Sequence, residues 1–201
     1  FPQRMKHIHL LILLLLLPMM GQAIEISNAE LYFTKVGGRN YISQSNVKAI
    51  VQDSYGFMWF GTRNGLNRYD GHTFREFVVD DEVLQCGNHN ISALYEDDSC
   101  NLWVGTDKGV YMYNPQYESF SFIATPALDG TVMNDWVSSI DGDNDGNIWI
   151  IIPNQGVFKY SVAEKTITSY YIPEKIMGSS GSPQCLCICR NGDVWVGSNG
   201  H

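Results

Sequence analysis

The string Val47-Lys48-Ala49-Ile50-Val51-Gln52-Asp53-Ser54-Tyr55-Gly56-Phe57-Met58-Trp59-Phe60-Gly61-Thr62-Arg63-Asn64-Gly65-Leu66-Asn67-Arg68-Tyr69-Asp70-Gly71 is the unit from which most of this 201-residue chain is built. Short runs rich in β-branched and aromatic residues are separated by turn signals, which predicts strands over residues 47–52, 57–61, 66–69 and 73–78. Tyr55-Gly56 and Asn64-Gly65 supply the turns, since glycine takes a positive φ without steric penalty.

The tryptophans expose the repeat. Trp59, Trp103, Trp149 and Trp195 follow one another at 44, 46 and 46 residues, while Trp136 stands outside the series. Twelve residues before each stand Val47, Ile91, Val137 and Pro183, and nine before stand Ile50, Leu94, Ile140 and Leu186. Six before are Asp53, Asp97 and Asp143, then Cys189; three before are Gly56, Gly146 and Gly192, with Cys100 in the second copy. After the Trp come Gly61, Gly105 and Gly197, absent from the third copy, and then Gly65, Gly109 and Gly156. Tyr69, Tyr113 and Tyr160 close the series. Four strands in about 45 residues make a propeller blade. The expected fold is therefore all-β: a β-propeller fragment of about three and a half four-stranded blades. The blades are expected over residues 37–80, 81–124 and 125–172, with a fourth begun at 173–201 and truncated.

The segment before the first blade divides in two. Met5-Lys6-His7, the apolar run Leu10 to Leu17 and the small residues Gly21 and Ala23 have the three parts of a signal peptide cut before Ile24, with residues 1–4 preceding the start at Met5. The apolar run is too short for a stable span of a bilayer core of about 30 Å. Phe77 lies 26 residues before Trp103 and Ile123 lies 26 before Trp149, each on an outer strand; Phe33 lies 26 before Trp59 with no blade ahead of it. Residues 24–36 are thus expected to contribute an outer strand that closes the ring. Export predicts a periplasmic location.

Charge and cysteine content narrow the partners. The chain carries a net charge of −8; without Arg4 and Lys6 of the leader the balance is 11 basic to 21 acidic residues, a net of −10. Nucleic acid is not an expected partner of such a surface. Five cysteines, Cys86 and Cys100 scattered and Cys185, Cys187 and Cys189 clustered, are an odd number for a disulfide framework in an exported chain.

The repeated string strongly resembles the two-component regulator propeller repeat, over about residues 31–201. The second copy, Ile91 to Tyr113, fits apart from Cys100; the third departs, with Ile151-Ile152-Pro153 for Gly-Thr and one extra residue before Gly156. The resemblance implies the periplasmic sensor region of a Bacteroidetes-type hybrid sensor histidine kinase. In such proteins two seven-bladed rings precede a β-sandwich, a membrane span, a kinase core, a receiver and often a DNA-binding domain. It implies, further, a glycan-derived ligand, control of transcription, a homodimer when full length, and as partners the remaining blades and kinase domains of the same chain. No phosphoryl-transfer motif stands in residues 1–201, and His7, His9, His72, His89 and His201 fit neither a kinase helix nor a triad, so no catalytic residue and no cofactor is expected here. Other fusions of the same propeller remain open: a diguanylate cyclase sensor, an exported lyase or glycosidase, or an adhesion module.

Candidate sites follow from the blade plan. Loops joining strand four to the next strand one, and strand two to strand three, share one face of a propeller. Here they fall near residues 41–46, 85–90 and 129–136, and at Arg63-Asn64, Asp107-Lys108 and Asn154-Gln155. Polar residues that vary between blades suit an oligosaccharide or other small ligand, with Arg63 and Lys108 available to an acidic one. Trp136, without a counterpart in other copies, joins this set. The repeated Trp and Tyr are expected to pack between sheets rather than stack sugars.

Two patterns imitate metal sites. Asp141-Gly142-Asp143-Asn144-Asp145-Gly146-Asn147-Ile148 matches the opening of a calcium loop, but the twelfth position is Ile152 where a bidentate Glu is required, so a β-turn is expected. Cys185, Cys187 and Cys189 alternate on one strand face at about 7 Å spacing, awkward for a single ion, and are expected to pack in the core. No metal is expected.

Overall fold

The computed structural model describes residues 32, 33, 35, 41–79, 90–123, 135–171 and 181–199. Two compact units are distinguished, Phe1–Val36 and Gly37–His201. In the first, only Tyr32, Phe33 and Lys35 are described, and Tyr32 and Phe33 are exposed. The expected leader at 1–23 and most of the expected closing strand at 24–36 lie outside the described residues.

The second unit is a row of antiparallel meanders. The first sheet runs β1 (Val47–Gln52), β2 (Met58–Thr62), β3 (Gly65–Tyr69) and β4 (Phe74–Phe77). The second runs β5 (Ile91–Glu96), β6 (Leu102–Thr106), β7 (Gly109–Asn114) and β8 (Ser119–Phe122). The third runs β9 (Ser139–Gly142), β10 (Ile148–Ile152), β11 (Gly156–Ser161) and β12 (Thr166–Tyr171), and a two-stranded sheet follows, β13 (Ser182–Ile188) with β14 (Val194–Asn199). The all-β propeller architecture read from the repeat is the one observed.

Each sheet buries its two faces against different neighbours, and strand alternation sorts the side chains. One apolar cluster joins Trp59, Leu66 and Phe77 of the first sheet to Leu102, Val104, Tyr111 and Tyr113 of the second. The next joins Ala93, Trp103 and Val110 to Ile140, Ile148, Ile150 and Phe158. The last joins Trp149, Ile151 and Val157 to Leu186, Ile188 and Val194. Trp59 meets Tyr113 edge-on at 5.1 Å between centroids, and Trp103 meets Tyr160 at 5.5 Å, so these repeated aromatics do pack across the seams.

The glycine two residues after the Trp has a steric origin. A Cβ on Gly61 would stand 2.6 Å from Cγ2 of Ile91, and one on Gly105 would stand 2.8 Å from Cγ1 of Val137. Ile91 and Val137 are the residues twelve before the next Trp, so the two repeat positions are one contact between neighbouring blades.

The third hairpin departs as its sequence predicts. In the first two blades a two-residue turn separates Thr62 from Gly65 and Thr106 from Gly109. Each Thr hydroxyl accepts from the N–H two residues on and donates to the glycine carbonyl at 2.9 Å. In the third, Ile152 pairs with Gly156 across the three residues 153–155.

The cysteine row differs from the expected core packing. Cys185 and Cys187 lie on the exposed face of β13, paired with Gly197 and Trp195. Alternation puts Leu186 and Ile188 against the third sheet instead and turns the sulfurs away from it.

Candidate functional site

Six residues before each buried Trp, an Asp closes the turn into the second strand. Asp53 Oδ1 accepts from the Phe57 N–H at 2.8 Å, and its Oδ2 accepts from the Trp59 indole at 2.7 Å. Asp97 serves Asn101 and Trp103 in the same way, and Asp143 serves Asn147 and Trp149. The loop that imitates a calcium site is this turn. Asp143 also meets Lys159 at 3.1 Å. Burial raises its pKa, but hydrogen bonds from Trp149, Asn147 and Lys159 outweigh that and hold it at about 2. In the fourth copy Cys189 keeps the backbone bonds of the turn to Asp193 and Gly192 without a carboxylate.

The two kinds of loop expected at one face do meet. Ser43 donates from its backbone to Asn67 and from its hydroxyl to the Asn64 carbonyl. The Asp107 N–H donates to the Asn90 carbonyl at 3.1 Å. Asn154 Nδ2 donates to Asp135 Oδ2 at 3.4 Å, and Asp135 Oδ1 accepts from the Trp136 N–H at 2.7 Å. Trp136 is 38% exposed. Arg63, Asn64, Lys108 and Asn154 are exposed, while Asp107 and Gln155 are half-buried. Residues 85–89 and 129–134 of the expected loops lie outside the described residues.

Ser43, Asn90 and Asp135, which organise this end, lie within the expected loops at 41–46, 85–90 and 129–136 but were not singled out there as site residues. The signal available was position: each falls in a connection directly ahead of a first strand. Asn90 Oδ1, Ser138 Oγ and Gln155 Oε1 are buried without a hydrogen-bond partner among the described residues.

At the opposite end, where β1–β2 and β3–β4 turn, the seam between the first two sheets opens into a cleft of about 370 Å³. It is lined by Asp53, Tyr55, Phe57, Trp59 and Arg68 of the first sheet, and by Tyr113, Pro115 and Gln116 of the second. Nothing in the sequence pattern pointed there, because its two walls are more than forty residues apart. Two polar contacts cross the same seam: Ser54 gives its N–H and hydroxyl to Glu96, and Arg75 forks onto both oxygens of Glu118 at 2.6 Å. Arg68 has no such carboxylate among the described residues. Its guanidinium lies over Phe57, Trp59 and Phe77, at 4.6, 5.6 and 5.3 Å from their centroids. Tyr113 is 2% exposed and its hydroxyl has no hydrogen-bond partner among the described residues. Burial pushes its pKa up, so the hydroxyl keeps its proton.

Comparison with known proteins agrees with the repeat. Residues 41–64 and 87–108 match the family described as two component regulator propeller. A histidine kinase of Formosa agariphila, named P4, is 54% identical over 43 residues, which is 21% of this chain and 3% of that protein. The extracellular domain of a hybrid two component system from B. thetaiotaomicron superposes with a TM-score of 0.68 at 23% identity, over 82% of this chain and 23% of that one. A streptogramin B lyase superposes with a TM-score of 0.59 at 18% identity, over 77% of this chain and 49% of that one. Both likenesses are of fold, and the chain spans only a small part of the kinase and of the receptor domain. The matched stretches 41–64 and 87–108 fall on the leading hairpins, β1–β2 and β5–β6, of the first two observed sheets, so those two hairpins are similar in sequence to the two component regulator propeller.

Proposed function

We propose that this chain belongs to the ligand-sensing propeller of a two-component receptor, exported to the periplasm and joined to a membrane span and kinase domains. The observation that carries the reading is the match of the leading hairpins of two successive blades, residues 41–64 and 87–108, to the two component regulator propeller. The local identity to a histidine kinase supports it. In this reading the propeller binds and does not catalyse, and ligand binding shifts the balance between two states of a receptor dimer that controls transcription. The lyase likeness lends no weight to chemistry here, because fold does not carry function.

The ligand site in this reading is the loop end built by Arg63, Asn64, Asp107, Lys108, Asp135, Trp136, Asn154 and Gln155. A half-exposed indole beside polar side chains from several blades suits an oligosaccharide. The test uses the full receptor in membrane vesicles, with neutral and acidic disaccharides as probes and autophosphorylation as the readout. At least one probe is expected to change the rate of phosphate incorporation, and Trp136→Ala is expected to raise the concentration required. A receptor that answers no glycan fraction from the host organism's growth polysaccharides would overturn the glycan reading. Absence of phosphate incorporation would overturn the kinase reading.

A further inference from the structure

The cleft between the first two sheets carries an inference separate from the sensor reading and from the loop end. Arg68 stands directly across the β2–β3 pair from Trp59, and the same place is Met112 in the second sheet and Lys159 in the third. The two cations at this position are treated differently. Lys159 is neutralised by Asp143, whereas Arg68 lies over ring faces and forms no ion pair among the described residues, and Asp53 gives its oxygens to the Trp59 indole and the Phe57 N–H. A guanidinium stacked on aromatic faces keeps its N–H donors, which lie in its own plane, available to an acceptor. Its neighbour Arg75 shows the alternative, with both terminal nitrogens on Glu118.

Two features therefore converge at one opening: a cation without a carboxylate partner among the described residues, and aromatic walls at Tyr55 and Phe57. The cavity, about 370 Å³, is of the size of small-ligand sites, whose range begins at roughly 300 Å³. We propose that this cleft binds a small organic anion, a carboxylate carried on a single ring, with Arg68 holding the carboxylate and Tyr55 and Phe57 covering the ring. A planar carboxylate matches the guanidinium fork in geometry as well as charge. Two sources share that chemistry, an acidic sugar and an aromatic acid.

Isothermal titration of the full chain with glucuronate, benzoate and glucose tests the proposal, alongside thermal melts of each variant. Glucuronate, benzoate or both are expected to bind and glucose is not; which acid binds identifies the source. Arg68→Met, with the residue that the second blade already carries at this position, is expected to weaken anion binding about tenfold or more while the melt is retained. Arg68→Lys keeps a cation over the rings, as Lys159 sits over Trp149 at 5.5 Å, and covers the case in which the methionine variant does not fold. Loss of the fork is then expected to weaken binding about threefold or more. The proposal is overturned by glucose binding as tightly as glucuronate, by folded variants that bind the acids like the parent, or by neither acid binding at up to about 10 mM.

Discussion

Asp53, Asp97 and Asp143 each do two jobs, closing a turn with one oxygen and anchoring an indole with the other. The indole of Trp59 is 1% exposed, so truncating its acceptor leaves a buried donor unmet. Asp53→Ala is accordingly expected to destabilise the chain by about 3 kcal/mol, read by urea denaturation, because two charge-assisted bonds are lost together. Asp143 adds a pH dependence. A carboxyl whose folded pKa is lowered from 3.8 to about 2 favours the folded state fully above the higher value and progressively less as pH falls to the lower. The stability difference between the native chain and Asp143→Asn should therefore be constant above about pH 5 and shrink between about pH 4 and pH 2. Cys100 occupies the turn glycine's slot at φ 62°, where Gly56 and Gly146 sit at 89° and 77°. A side chain there is strained, and Cys100→Gly is expected to raise stability by about 0.5–1 kcal/mol. The reason for each Asp was not legible in the sequence, although its recurrence was. A spacing of six spans a turn, and only the folded turn brings carboxylate and indole together.

Strands and hairpins were the readable part. Residues 47–52 form β1 as alternation predicted, and Arg63-Asn64 form the two-residue turn that Asn-Gly signalled. The extra residue before Gly156 gave the longer third turn for the same local reason. Contacts between sheets were hidden because both partners are ordinary in composition. Gly61, expected as the last residue of a strand, lies within β2, where Ile91 of the next sheet presses against its α-carbon side, a contact the strand pattern did not reveal. Gly61→Ala puts a methyl 2.6 Å from an Ile91 carbon, and the expected loss is about 1–3 kcal/mol, with a matching drop in melting temperature. Ile91→Ala removes the clashing Cγ2, so the loss in the double variant should be smaller than the sum of the two single losses, whereas Ile91→Val, which keeps both γ carbons, should give no such relief. The loop end was half legible for a related reason. Blade convention located Arg63, Lys108 and Trp136, but the hydrogen bonds through Ser43, Asn90 and Asp135 depend on how each connection folds back. The anion cleft was not legible at all, since Arg68 is separated from Tyr113 by a blade length of chain.

A row of stacked sheets has two unlike open faces. In each seam the Trp-bearing face of one sheet meets the opposite face of the next, as Trp59 and Leu66 meet Val104 and Tyr111. At one end, Ile50 is 58% exposed on the face of the first sheet equivalent to that of Leu94 and Val104. At the other, Trp195 is 66% exposed beside Cys185 and Cys187, in the register that Trp59 and Ala49 hold in the first sheet. These two faces are complementary by the same geometry that joins the observed seams, so the contact between copies of this chain would be head to tail and would not close on itself as a symmetric pair does. Each exposed face also withholds from the end sheets the burial that stabilises the middle ones. The isolated 201-residue chain is expected to self-associate as its concentration rises about tenfold, monitored by sedimentation velocity in reducing buffer so that the exposed thiols do not crosslink. Trp195→Glu and Ile50→Glu should each suppress the association alone, and combining them should add little, because one contact needs both faces. Unchanged association in Trp195→Glu would show that some other surface is responsible.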